Sequence, residues 1–287
     1  MSLKKDELEM FFNQLKLAEK TNTRINNLIR YSIKQIEAEI DEVYYRYKER
    51  YNLSDAEMLE YLNKRLTPSQ IEKYVETHQW ALADITSAKN RITELSLLKS
   101  YIQYQTNYIA QESISEVEKL LKFVITDTFG RTHFNTCKEI GLELEFNRPS
   151  KSRIDKLLHH DWLGSNFYKR IQHNCGVLQQ QVEKVLTDGV LRGKSVQYMT
   201  KQLSDCSNYG VVASERLVRT ETSRFANKCE MESYKDLGIQ KYIWLATLDG
   251  RTCNCGRNGK PSCADRDGKV YEVGGKDSPM PPDDSHP

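Results

Sequence analysis

Apolar residues in the first half of the chain recur at spacings of three and four. Ile25, Leu28, Ile29, Ile33, Ile36, Ile40, Val43, Tyr44, Tyr47 and Tyr51 form one such stripe, which predicts a helix of about 30 residues with a single buried face. Glycine is absent before Gly130, and Pro68 is the only proline before Pro149. Both residues interrupt helices, so their absence favours long ones. Ser54-x-x-Glu57 has the form of a capping box that opens a second helix, and Thr67-Pro68 opens a third with proline at its first turn. The helical pattern continues through Ile92, Leu95, Leu98 and Ile102, and again from about Ser113 to Thr128.

The texture then changes. Residues 130–150 hold Gly130, Gly141, Asn147 and Pro149 and read as a connector, with room for a short strand at Leu142–Phe146. Helices are expected to resume at about Ser152–His160, Ser165–Asn174, Val177–Arg192, Ser195–Ser204 and Val211–Leu237. Gly238 stands where a left-handed C-cap belongs. Lys241–Leu248 is β-branched and apolar enough for a strand, Val270–Val273 supplies a second, and Asp249-Gly250 reads as a turn. The expectation is a mainly α protein. An elongated helical region spans 1–129, a connector spans 130–150, and an α+β region with a small antiparallel sheet and a cysteine-rich loop spans 151–287.

Composition sharpens this picture. The 287 residues are 38% hydrophobic and 29% charged, a balance suited to helices with much exposed surface. Net charge is only +2, so no global field demands nucleic acid or an anionic membrane. No apolar run approaches the roughly 20 residues a membrane-spanning helix needs, and Met1–Asp6 lacks a signal-peptide core. We therefore expect a protein made and kept in a cytoplasm, with no membrane partner. Cys137, Cys175, Cys206 and Cys229 fall one per segment, the usual pattern of reduced structural thiols.

Several clusters could carry chemistry. Cys253, Cys255, Cys263 and His286 could supply four zinc ligands, although the first pair is C-x-C rather than C-x-x-C; the alternative is a reduced, unligated loop. Arg219-Thr220-Glu221-Thr222-Ser223 lies on a helix. One reading makes Glu221 a catalytic acid and Arg219 an anion ligand, as in an ADP-ribosyltransferase, but no Glu-x-Glu turn accompanies them. The other reading has Arg219 and Glu221 tie their helix to the strand and turn beneath by charge-assisted hydrogen bonds. His159, His160 and His173 fit helix C-termini, with metal ligation or a base role as the alternative. Tyr44, Tyr45, Tyr47, Tyr51, Tyr101, Tyr104 and Tyr108 fit helix packing with wetted hydroxyls, with base stacking as the alternative. A basic run that includes Lys151, Arg153, Lys156, Lys169 and Arg170 could contact DNA phosphates without sequence preference. Phosphate-loop, zinc-protease and nucleophile-elbow signatures are missing, so no motif demands an enzyme.

The C-terminal half resembles a known family. Trp162-Leu163-Gly164-Ser165-Asn166-Phe167, followed by Arg170 and Ile171, is similar to the W-x-G-x-N-F-x-x-R-I segment of phage Mu F-like minor head proteins. Gln172 stands where that family commonly has a second tryptophan. Further matches follow in order. They are Gly189–Gly193 with Ser195, then Leu217-Val218-Arg219-Thr220-Glu221, then Trp244 with Asp249, Arg251, Thr252 and Cys253, then Asp267-Gly268-Lys269-Val270-Tyr271, and finally Pro281-Pro282 and His286-Pro287. The resemblance covers about 125 residues and makes these motif positions structural rather than catalytic. It implies a minor component of a tailed-phage head that docks on the portal protein inside the procapsid. It further implies neighbours such as major capsid or scaffolding protein, and non-specific contact with double-stranded DNA. The location implied is the virion, with host cytoplasm during assembly. Two departures bear on zinc: Cys253 and Cys263 flank an insert holding Cys255, and family members usually continue past His-Pro into a Cys-Arg-Cys segment. On that pattern, Cys253 and Cys263 would pair with cysteines this sequence does not contain.

Overall fold

The computed structural model describes residues 2–45, 52–77, 93–142, 148–192, 194–246, 261–275 and 278–279. It is 79% helical with one two-stranded antiparallel sheet, so the mainly α class expected from the sequence is what is found. The elements are α1 (Ser2–Tyr44), α2 (Asp55–Leu62), α3 (Pro68–Thr77), α4 (Glu94–Ile140), α5 (Lys151–His159), α6 (Phe167–Leu191), α7 (Val196–Asp236), β1 (Lys241–Ile243), α8 (Cys263–Arg266) and β2 (Val270–Glu272).

The isoleucine stripe is buried as its spacing requires: Ile25, Ile29, Ile33, Ile36 and Ile40 each expose 2% or less. The helix is nonetheless longer than the stripe, because it begins at Ser2. Its first turns bury Met10, Gln14 and Ala18, and the Gln14 amide donates to Thr128 Oγ1 at 2.8 Å and to Asp127 at 3.3 Å. Both expected caps form. Ser54 N–H donates to Glu57 at 2.8 Å while Glu57 N–H returns to Ser54 Oγ at 3.4 Å, and Thr67 and Gln70 repeat the exchange at 2.9 and 3.4 Å.

The connector expected at 130–150 is much shorter. Helix α4 runs straight through Gly130 and stops at Gly141, whose φ of 72° lets Leu142 N–H bond back to Cys137 C=O at 3.0 Å. One glycine inside a helix costs about 1 kcal/mol. The buried Thr128, Phe129, Thr132, His133, Thr136 and Cys137 on either side of Gly130 outweigh that. The strand expected at Leu142–Phe146 falls mostly outside the described residues. Gly176 and Gly210 likewise fail to break helices, so the four helices expected between residues 165 and 237 are the two long ones, α6 and α7. Gly189 packs closely under Met199: a Cβ there would overlap the Met199 thioether, which would have to move. At the end of α7, Gly238 adopts φ 69° and Ile239 N–H bonds Tyr234 C=O at 2.9 Å, the cap the sequence predicts.

The sheet is small. Tyr242 pairs with Tyr271 across the antiparallel ladder, flanked by Lys241 with Glu272 and Ile243 with Val270. The turn expected at Asp249-Gly250 lies outside the described residues.

The chain divides into two compact units that alternate along the sequence. Unit 1 comprises Met1–Asn22, Glu116–Phe167 and Arg216–Pro287; unit 2 comprises Thr23–Ser115 and Tyr168–Glu215. The core of unit 1 includes Val117, Leu121, Val124, Phe129, Leu158, Val218, Phe225 and Cys229. Unit 2 buries the isoleucine stripe with Leu62, Leu98, Ile102, Ile109, Val182, Leu186 and Met199.

Candidate functional site

The motif residues of the C-terminal half build two small constructions in unit 1. The first is the turn Trp162-Leu163-Gly164-Ser165. Its central residues have φ of 52° and 76°, the signature of a type I′ turn. Trp162 N–H donates to Ser165 C=O at 2.6 Å and Ser165 N–H returns at 3.2 Å. Gly164 is needed because its position is left-handed. Leu163 accepts the same region at a cost and leaves 82% of its surface exposed. Asn166 then bonds Asp161 at 3.0 Å, and Phe167 buries itself as the first residue of α6.

Helix α7 holds this turn from beneath. Glu221, only 1% exposed, accepts from Arg224 at 3.1 Å. Arg224 is 4% exposed, lies 5.0 Å over the Trp162 ring and 4.8 Å over Phe225, and donates to His160 C=O at 3.4 Å. A buried arginine needs both charge and hydrogen-bond partners, and Glu221 supplies the charge. The sequence reading gave Arg219 and Glu221 a joint tie to the strand and turn. Among the described residues Glu221 acts through Arg224 on the Trp162 turn, Arg219 is exposed and Thr220 half-buried, and the turn at residues 249–253 lies outside the described residues. The motifs in the sequence assign Arg224 no role. Its spacing of three from Glu221, which puts both on one helix face, was the available signal.

The second construction surrounds Trp244, which is 8% exposed. Trp244 N–H donates to Lys269 C=O at 2.9 Å, Gly268 N–H donates to Trp244 C=O at 2.8 Å, and the Asp267 carboxylate accepts from Ala246 N–H at 2.9 Å. Asp267-Gly268-Lys269 thus closes the end of the sheet on the strand that carries Trp244. Helix α8 is opened by a Ser262–Asp265 capping box, and its buried Arg266 lies 5.7 Å over the Trp244 ring. The same device appears twice: a tryptophan beside a turn, covered by a buried arginine.

Between α5 and the last turns of α7 lies an open pocket of about 280 Å³, lined by Arg153, Lys156, Leu157, His160, Lys228 and Glu232. Arg153 is fixed there. It donates to Asp236 at 2.5 and 3.3 Å and to Glu232 at 3.4 Å, and stacks 4.5 Å from the Phe129 ring. The Asp236 hydrogen bonds hold its pKa above the ordinary value. His133 stacks on the same ring at 4.6 Å, and burial lowers its pKa against the pull of Asp236.

Other expected positions are placed as follows. Lys151 and Lys156 are exposed on α5 in unit 1, whereas the exposed Lys169 and half-buried Arg170 belong to unit 2. Asp249, Arg251, Thr252, Cys253, Cys255 and His286 lie outside the described residues. Cys263, half-buried at the start of α8, is thus the only one of the four zinc donors described. Among the described residues no three His, Cys, Asp or Glu side chains converge as metal ligands. Cys137, Cys175, Cys206 and Cys229 are unbridged, and burial pushes the thiols of Cys175 and Cys229 up to about 12. No helix among the described residues is long and apolar enough to cross a membrane.

These features define a mainly helical protein in which the described motif residues Trp162, Glu221, Trp244 and Asp267 take part in bracing two turns. Residues 180–286 match the family described as Phage Mu protein F like protein, and over that stretch the chain is similar to this phage family. The match includes Glu221, Arg224 and the Trp244 construction, and it begins after the Trp162 turn. No curated protein and no solved structure matches the chain.

Proposed function

We propose that this protein is a minor structural component of a tailed-phage head, docking on the portal protein inside the procapsid and touching packaged or ejected DNA. The family match carries the reading. The geometry supports a structural role for the motif: Glu221 is buried and committed to Arg224, and Asp267 is committed to backbone. A transferase would need an accessible carboxylate, and Glu221 at 1% exposure does not offer one. Major capsid or scaffolding protein would be neighbours in such a particle. The proposed location is the virion, reached from the host cytoplasm during assembly. Lys151 and Lys156 are exposed cations available to DNA phosphates. The zinc proposal is narrower: Cys253, Cys255, Cys263 and His286 would serve as a structural site, tested by metal analysis of protein purified without chelator.

The deciding experiment uses procapsids assembled with and without portal protein, followed by sedimentation and blotting for this chain. The expected result is incorporation only when portal is present. Absence from both kinds of particle overturns the head-protein reading.

A further inference from the structure

The face of α7 that carries Arg224 continues as a ladder of charges, with Lys228, Glu232 and Asp236 following at intervals of four residues. Its acidic end is neutralised. Arg153 takes both Asp236 oxygens and Glu232 Oε2, and Lys235 takes Glu232 Oε1 at 3.4 Å. At the other end Glu221 is occupied by Arg224. Lys228, between the two, is left over. Among the described residues no carboxylate comes within ion-pair distance of its ammonium, and no acceptor bonds it. Burial first, then the charge of Arg224, lowers its pKa, with Glu232 pulling the other way. A half-buried cation without a partner is costly unless an anion arrives.

The surroundings suit that anion. Lys228 opens into the pocket with Lys156, Arg153 and His160, and the single carboxylate there, Glu232, is already shared between Arg153 and Lys235. Arg153 stands pinned by Asp236 and Phe129, so one wall is preorganised. Leu157 supplies an apolar lining.

We propose that this pocket is an oxyanion site that receives a phosphate group, with Lys228 and Lys156 as its ion-pair donors and Arg153 as its fixed wall. The phosphate comes either from a DNA backbone or from a small phosphorylated molecule. The inference deepens the DNA-contact reading by giving the phosphate a place, and rests on that reading only for the first of these sources.

The test uses the full 287-residue chain. Inorganic phosphate is titrated at constant ionic strength, and both heat of binding and Tm are followed. Wild type should bind saturably and gain Tm. Lys228→Met should lose at least tenfold in phosphate affinity while its phosphate-free Tm rises, because an unpaired ammonium has gone. Lys156→Gln, at an exposed position, should lose severalfold, and Lys119→Gln, remote from the pocket, should change nothing. Absence of a saturable response, or Lys228→Met and Lys156→Gln variants that respond as wild type, overturns the site. A parallel titration with duplex DNA separates the sources. Weaker DNA binding by Lys228→Met assigns the phosphate to the backbone. Unchanged DNA binding with lost phosphate binding assigns it to a small molecule. Phosphate binding without any DNA binding keeps the pocket and removes the DNA-contact reading.

Discussion

The two compact units solve the same packing problem with different materials. Unit 2 buries aliphatic surface, with Ile33, Ile36, Leu62, Ile102 and Val182 each 1% exposed or less, and lets Met199 approach α6 against Gly189. Unit 1 has an apolar core too, but adds buried arginines, Arg224 with Glu221 and Arg266 over Trp244, and the Gln14–Thr128 hydrogen bond. The charged side chains buried among the described residues of unit 2 are instead the glutamates Glu39 and Glu94. Aliphatic packing is non-directional and tolerates swaps of equal volume. A buried charge is directional and fails when one partner leaves. The motif residues described belong mainly to unit 1, where a single change is therefore expected to cost most.

The sharpest way to break this contrast is Glu221→Ala. It strands the Arg224 guanidinium, and we expect a loss of about 3–5 kcal/mol measured by urea unfolding. Glu221→Leu combined with Arg224→Met should restore much of that loss, because the charge and its partner leave together. Equal losses in the single and double variants would show that the pair acts through shape alone. Ile33→Ala is the counterpart in unit 2, expected to cost about 2–4 kcal/mol through cavity formation, with no dependence on salt or pH.

A smaller effect concerns Glu7. Burial, then the charges of Glu230 and Asp6, raise its pKa to about 7. Burial also raises the pKa of Glu230, to which the Tyr234 hydroxyl donates at 2.9 Å. A carboxyl that keeps its proton longer when folded contributes fully below its unfolded pKa and loses that contribution as pH rises through the folded one. Stability should therefore fall from about pH 4.5 towards pH 7 and then level. Glu7→Gln should flatten that slope and gain about 1–2 kcal/mol at pH 8, read from Tm against pH. The smallest effect is expected at the Trp162 turn, where Leu163→Asn relieves a left-handed leucine and should gain up to about 1 kcal/mol.

Much of the architecture was legible from local signals. The isoleucine stripe, the Ser54 and Thr67 caps and Gly238 all did what their chemistry dictates, because each acts within a few residues. Gly130, Gly176 and Gly210 misled for the opposite reason. A glycine's weak local preference yields to the burial of its neighbours, and that burial depends on residues far along the chain. Among the site residues, the importance of Glu221 was visible while its partner was not. Arg224 becomes special only when His160 and Trp162 arrive over it, 64 and 62 positions earlier in the sequence. The Lys228 pocket was hidden for the same reason, since Arg153 and Asp236 meet across 83 positions.

The alternation of the two units along the sequence sets a timetable for biosynthesis. Helices α1, α4 and α7 each give one stretch to either unit, so no single cut of the chain releases one unit whole. The third stretch of unit 1, Arg216–Pro287, is translated after both stretches of unit 2. Glu7 leaves the ribosome more than two hundred residues before Tyr234, a wait of roughly 10–50 s at ordinary elongation rates. During that interval Leu8, Phe11 and Phe12, still exposed in the finished fold, stand on a helix that still lacks the cover contributed by the last turns of α7. The first stretch of unit 1 therefore waits for its last one, and chaperones can reach that α1 segment before unit 1 closes.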